Sequence, residues 1–410
     1  MRETFLRTLS GGLLLVLFAG SSAVAGDKIL YNFPGGHAGS TPKNGVVFDA
    51  AGNMYGTTYY GGTYGWGTVY ELQHSKNGWH HAVLYSFFGS SDGYNPQGNL
   101  LIDGSGNLYG TTGSGGTSGG GTVFELQLSQ GIWKHFVLYN FCSLSNCSDG
   151  FGPSGLTFDT NGNLYGTAGG GGSSCYGNGC GVVYELSLSN GSWKETVLYS
   201  FNNNGDGYYP NSGVTFDSSG NLYGTTCCGG GYGYGIVFEL RPGKHGWKEV
   251  PLFAFDGSID NRNANGYLTI DSSGNILGTT GGYYEYDDCS QYQCGSVFEL
   301  WRSHGQWVEA NVYSFGGSDG VNPNPSILLG SDGNFYGSAS QGGSNGFGLV
   351  FRLKPGRVWR LKPLYEFSGQ GADGAPNPGM IFGPDGNLYG TTPPLGYNSQ
   401  YDGEVFEVVP

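Results

Sequence analysis

GNLYGTT, residues 106–112, followed by GTVFEL at 121–126, is the stretch on which the fold turns. The same string, or a close variant, places its Asn at 53, 107, 163, 221, 275, 334 and 387, so successive copies lie 54, 56, 58, 54, 59 and 53 residues apart. A period of this kind marks one supersecondary unit used again and again. The third copy shows what the unit holds. Four short runs, 155–159 (GLTFD), 163–168 (NLYGTA), 181–186 (GVVYEL) and 193–201 (WKETVLYSF), are rich in aromatic and β-branched residues and separated by turns. The first two are joined by Thr160-Asn161-Gly162, where Gly supplies the positive φ that a tight hairpin needs. The unit therefore reads as a four-stranded antiparallel sheet.

One such sheet cannot cover both of its faces, whereas seven arranged radially bury each face against a neighbour. An open solenoid needs capping repeats, and none is legible. Instead the chain opens with ILYNF at 29–33, which matches the fourth run, and ends with GEVFEV at 403–408, which matches the third. The seventh copy lacks its own fourth strand, so the N-terminal strand is expected to supply it. The sequence thus predicts an all-β, seven-bladed β-propeller over residues 26–410, with four antiparallel strands per blade and closure by the N-terminal strand. Naming the strands a to d outward from the axis puts the d-to-a and b-to-c loops on one face, where ligands are expected. The short a-to-b and c-to-d turns lie on the other.

Composition agrees, since 81 glycines in 410 residues and 15% aromatics suit short strands and tight turns. Residues 1–25 read as a secretory signal, with Arg2 and Arg7, an apolar stretch at 13–18, and Ala23-Val24-Ala25 as the cleavage site. Cleavage near Ala25 removes Arg2, Arg7 and Glu3, leaving 15 basic against 30 acidic side chains. Such an acidic balance repels phosphate backbones and argues against nucleic-acid binding. No later run approaches the roughly 20 apolar residues of a membrane helix. A secreted, extracellular or periplasmic monomer is expected. Three cysteine pairs share one spacing, Cys142 with Cys147, Cys175 with Cys180 and Cys289 with Cys294, while Cys227 and Cys228 are adjacent. In an exported chain these are expected to be local disulfides. Zinc is the competing reading, but no His flanks them.

The ordered string GNLYGTT, GG, GTVFEL, Trp, LYSF, DG and Pro, best seen at 106–112 with 121–126 and at 220–226 with 235–240, resembles the GloVer tandem-repeat family of exported bacterial proteins. The similarity covers residues 27–410. It implies export and assigns no catalytic residue.

A residue present once in every blade most simply serves the fold. Trp79, Trp133, Trp193, Trp247, Trp307 and Trp359 open strand d and are expected to pack between blades. Glu71, Glu125, Glu185, Glu239, Glu299 and Glu407 recur in strand c and are expected to be hydrogen-bonded or paired between blades. Asp92, Asp149, Asp206, Asp319 and Asp373 precede Gly in d-to-a loops. They either bond their own turns or form a carboxylate ring for calcium, and the turn reading is preferred. No other cofactor is expected. Matches to nucleophile-elbow and phosphate-loop patterns lack the strand-to-helix setting those motifs need.

Departures from the repeat carry more information. The fifth blade bears Arg262 in its d-to-a loop and Tyr283, Tyr284, Glu285, Asp287 and Asp288 in its b-to-c loop. Arg262 suits a carboxylate or sugar hydroxyl, the acids suit acceptor or acid/base roles, and the rings suit stacking. Tyr59, Tyr60, Tyr64 and Trp66 of blade one and Tyr232 and Tyr234 of blade four lie on the same expected face. Aromatic, glycine-rich loops favour binding of an extracellular glycan or protein over chemistry. The alternatives are a carbohydrate hydrolase or lyase using the fifth-blade acids, and a structural protein of the envelope.

Overall fold

The repeated string becomes strand b, the most buried element of each blade. In the computed structural model, which describes residues 27–173, 175, 177–258, 262–264, 266–281, 294–370, 373–395 and 401–410, strand b runs over Leu108–Ser114 in blade two and Leu222–Thr226 in blade four. All five residues of Leu222–Thr226 are buried, because the strand is flanked on both edges and both faces. Strand d shows the opposite pattern. Ser192–Ser200 alternates exposed and half-buried residues, as an outer edge strand must.

The motif's inner Gly has a steric purpose. A Cβ on Gly110 would lie 2.6 Å from Phe124 of the adjacent c strand, so the glycine makes room for that ring. The ring in turn forms the joint between blades. The Phe that ends strand d of each blade meets, edge to face, the aromatic residue of strand c in the next: Phe87 with Phe124, Phe141 with Tyr184, Phe201 with Phe238, Phe255 with Phe298, Phe315 with Phe351, and Phe367 with Phe406. Each pair contributes roughly 0.5–1.5 kcal/mol beyond its buried area.

The seam repeats the same joint. Asp27–Asn32 pairs antiparallel with Glu404–Val408, which pairs with Leu388–Thr392 and then Ile381–Phe382, giving blade seven its four strands. Phe33 then meets Tyr70 of blade one at 5.0 Å between ring centroids. A Gly–Pro contact recurs as well: Gly403 takes φ +112°, and a Cβ there would lie 2.6 Å from Pro42 Cδ, just as Gly121 faces Pro153. The seven-bladed ring is closed as the terminal strands imply.

Several sequence readings acquire partners. Tyr109 donates to Glu125 (2.8 Å) and Tyr223 to Glu239 (3.1 Å), so these glutamates bond across strands b and c of their own blade rather than between blades. Asp92 accepts from Tyr85 and from the Phe88 and Gly89 amides, and Asp149 and Asp206 are held likewise. These acids cap their own loops. Trp133 and Trp247 pack into the clusters between blades. Disulfides join Cys142 to Cys147, Cys175 to Cys180 and Cys227 to Cys228. Cys294 is buried and disulfide-bonded, while its expected partner Cys289 lies outside the described residues. Among the described residues no helix is long and apolar enough to cross a membrane.

Candidate ligand site at the propeller axis

The a strands start at the axis, and the residues at their heads line a cavity of about 300 Å³ to which all seven blades contribute. Its polar wall includes Lys43 and Asn44 of blade one, Gln97 and Asn99 of blade two, and Asn211 of blade four, with Tyr267 of blade five. Among the described residues, Lys43 is the one charged side chain in that lining, with no Asp or Glu, although the whole chain carries a net charge of −14. Lys43 Nζ lies 3.6 Å from the centroid of the Tyr59 ring, a cation–π contact, and partial burial lowers its pKa. Asn44 Nδ2 is buried without a hydrogen-bond partner among the described residues.

Inter-blade hydrogen bonds hold this lining in place. Asn99 Oδ1 accepts from the Gly45 amide of blade one (3.1 Å), and Gln97 donates to the Pro153 carbonyl of blade three (3.0 Å). Thr225, the first Thr of its motif, donates to Gly266 O (3.3 Å) in blade five. Across the seam, Asn377 donates to Pro42 O (2.6 Å) and Thr391 to Asn44 O (2.7 Å). Tyr267 reaches from blade five towards blade three: a Cβ on Gly155 would collide with its hydroxyl, so that position needs glycine. Burial raises the Tyr267 pKa, keeping the phenol a neutral hydrogen-bonding group.

The rim residues singled out by sequence fall into separate groups. Arg262 donates from Nε to Gly257 O (2.8 Å) and lies 4.7 Å from the Tyr234 ring centroid, so blades four and five do bring these two together. Tyr232 is exposed nearby in the same loop. Tyr60, Tyr64 and Trp66 are exposed on blade one, with Trp66 against Tyr94 (4.9 Å) and Tyr64 near Phe88 (6.2 Å). Blades two and three separate that cluster from Tyr234, so the two do not form one site. Tyr283, Tyr284, Glu285, Asp287 and Asp288 lie outside the described residues. On the opposite face, a cleft of about 890 Å³ between blades four and five contains Arg241, paired with Glu239 at 2.7 Å, and Arg302, 4.6 Å from the Trp307 ring centroid. Arg241 is there already neutralised by its carboxylate partner.

Sequence reasoning missed the axial residues. The available signal was the short variable segment at the axial end of each a strand, Lys43-Asn44 in one copy, Gln97-Gly98-Asn99 in another and Asn211-Ser212 in a third, where polar side chains replace one another inside an otherwise constant frame.

The sequence matches the family described as the Gloeobacter/Verrucomicrobia repeat over residues 16–216, 146–289 and 283–410. The chain belongs to that family. No curated protein matches it. Among solved structures, the chain is similar to the extracellular domain described as that of a one component system from B. thetaiotaomicron, with a TM-score of 0.57 and 11% identity, over 92% of this chain and 40% of that one. The chain thus spans less than half of that longer protein. It is also similar to an ulvan lyase bound to a glucuronate–sulfated rhamnose unit, with a TM-score of 0.51 and 12% identity, over 92% of this chain and 95% of that one. Likeness at such identities shows the propeller fold and nothing finer.

Proposed function

We propose that this repeat-family propeller is an exported binding module whose axial cavity takes the end of a carbohydrate ligand. The observation that carries the reading is the cavity's lining: side-chain amides, hydroxyls and one lysine from blades one to six, set among glycines and prolines, with no carboxylate among the described residues. Amide and hydroxyl groups suit the hydroxyls of a sugar, and the cavity is at the small end of ligand-site volumes. Lys43 favours an end bearing a carboxylate, as a uronic acid does. Export rests on the signal-like residues 1–25 and agrees with the disulfides.

Calorimetric titration with glucose, galactose, glucuronate and galacturonate tests the reading. Binding at millimolar concentration or better is expected, with the uronates preferred and that preference lost, about tenfold in affinity, in Lys43→Met. The absence of binding by every sugar at tens of millimolar, or affinities untouched by Lys43→Met and Asn211→Ala, overturns it.

A further inference from the structure

A second depression, of about 280 Å³, lies between blades three and four and is lined by Phe151, Gly152, Gly169, Gly170, Asn178, Tyr209 and Asn211. Asn211 lines this depression and the axial cavity alike. The floor is bare because blade three ends strand b with Gly169-Gly170 where blade one has Tyr59-Tyr60. A Cβ on Gly170 would collide with the Phe151 ring, so the glycine lets that ring lie over the strand. The result is an apolar, ring-flanked bed with amides on its margin, continuous through one residue with the axial site.

Tyr209 stands in this bed at a conformational cost. Its backbone has φ +55°, and its amide donates to Cys180 O (2.9 Å). The equivalent amides of Thr41, Asn95, Gly152, Asn263 and Asn322 donate to the same position of the preceding blade, and every one of those residues also has positive φ. Four of these five are Asn or Gly, the residues that tolerate this conformation. A bulky side chain there is an outlier, and such outliers persist where the surroundings enforce them and cluster at ligand sites. The inter-blade amide bond shared by all six positions supplies the enforcement, and in blade four two further bonds add to it: Cys227 N donates to Tyr209 O (3.3 Å), and Tyr208 N to Cys228 O (2.9 Å).

We infer that the ligand is a linear oligosaccharide whose end occupies the axis and whose next unit stacks on Tyr209 and Phe151 in the bed between blades three and four, with Asn211 bonding both units. The inference rests on the axial reading and adds a chain direction and a minimum length to it. The alternation of apolar ring faces with amides fits a pyranose, which presents a C–H face flanked by hydroxyls.

The test is calorimetry with galacturonate, digalacturonate and trigalacturonate, alongside glucose, cellobiose and cellotriose, on the parent and on Tyr209→Asn. In one of the two series the affinity is expected to rise at least tenfold from monosaccharide to trisaccharide. Tyr209→Asn removes that rise, leaves the monosaccharide affinity unchanged, and melts no lower than the parent because Asn relieves the backbone. Phe151→Ala provides a second variant, with the same expected loss of that rise and the same unchanged monosaccharide affinity. Monosaccharide binding with no gain on lengthening overturns this inference and spares the axial reading, whereas binding of no sugar overturns both. Tyr209-dependent binding of pentaglutamate in place of every oligosaccharide also overturns it.

Discussion

Single residues at one place in strand d show how the fold handles buried charge. Two positions after the strand's Trp stand His81, His135, Glu195, Glu249 and Glu309, each with a buried polar atom lacking a hydrogen-bond partner among the described residues. His81 stacks on Tyr31 at 4.6 Å, and His135 on Tyr85 at 4.3 Å, each from the preceding blade. Burial lowers both histidine pKa values to about 4. Burial, reinforced by Asp149, Asp206 and Asp256 respectively, raises the three glutamates to about 7. The signs oppose. A glutamate raised in the folded state stabilises below its unfolded pKa, and that contribution is lost as pH rises from about 4.5 through 7; a histidine lowered to about 4 costs stability as pH falls below about 6.5. Replacing Glu195, Glu249 and Glu309 together by Gln is expected to raise the melting temperature at pH 8 and change it little at pH 4.5. Thermal melts at the two pH values check this, and no gain at pH 8 refutes it.

Among the elements, the a-to-b turn shows one solution reached by two spellings. Asp103 accepts from the Ser105 and Asn107 amides (2.8 and 2.9 Å), from Asn107 Nδ2 (2.9 Å) and from the Tyr109 hydroxyl (3.2 Å). In blades six and seven the carboxylate comes two residues later in the turn, from Asp332 and Asp385, and still reaches the motif's Asn and Tyr. Removing it in blade two, Asp103→Ala, leaves several donors unsatisfied and is expected to cost about 1–3 kcal/mol in urea denaturation. The strands and these turns were legible because their roles recur: Gly110, Phe124 and Phe87 appear as a set in copy after copy, and repetition exposes a packing rule. The site was not legible for the converse reason. Lys43, Asn99, Asn211 and Tyr267 each occur once, and only closure of the ring brings four different blades to one cavity. Trp66 and Tyr234 stood out in the sequence as departures from the repeat, yet each ring packs against a glycine of the following d-to-a loop, Gly89 and Gly257, so part of their conspicuousness is structural.

At the scale of the whole molecule, stability depends on the seam being equivalent to the other six joints. Phe33 is fully buried in a cluster with Tyr70, Val46 and Val405, which unites the first strand, the last strand and blade one. Phe201 occupies the corresponding place at an internal joint, also fully buried. In an open array Phe33 would sit on a terminal strand free to fray, and truncating it would cost little. In the closed ring, Phe33→Ala and Phe201→Ala are expected to destabilise alike, by about 3–5 kcal/mol each, since both empty the same kind of inter-blade socket. Equilibrium denaturation of the two variants decides the matter. A Phe33→Ala cost below about a third of the Phe201→Ala cost would mean that the seam opens, and the axial cavity, whose Lys43-Asn44 wall is held across the seam by the Asn377–Pro42 and Thr391–Asn44 bonds, would open with it.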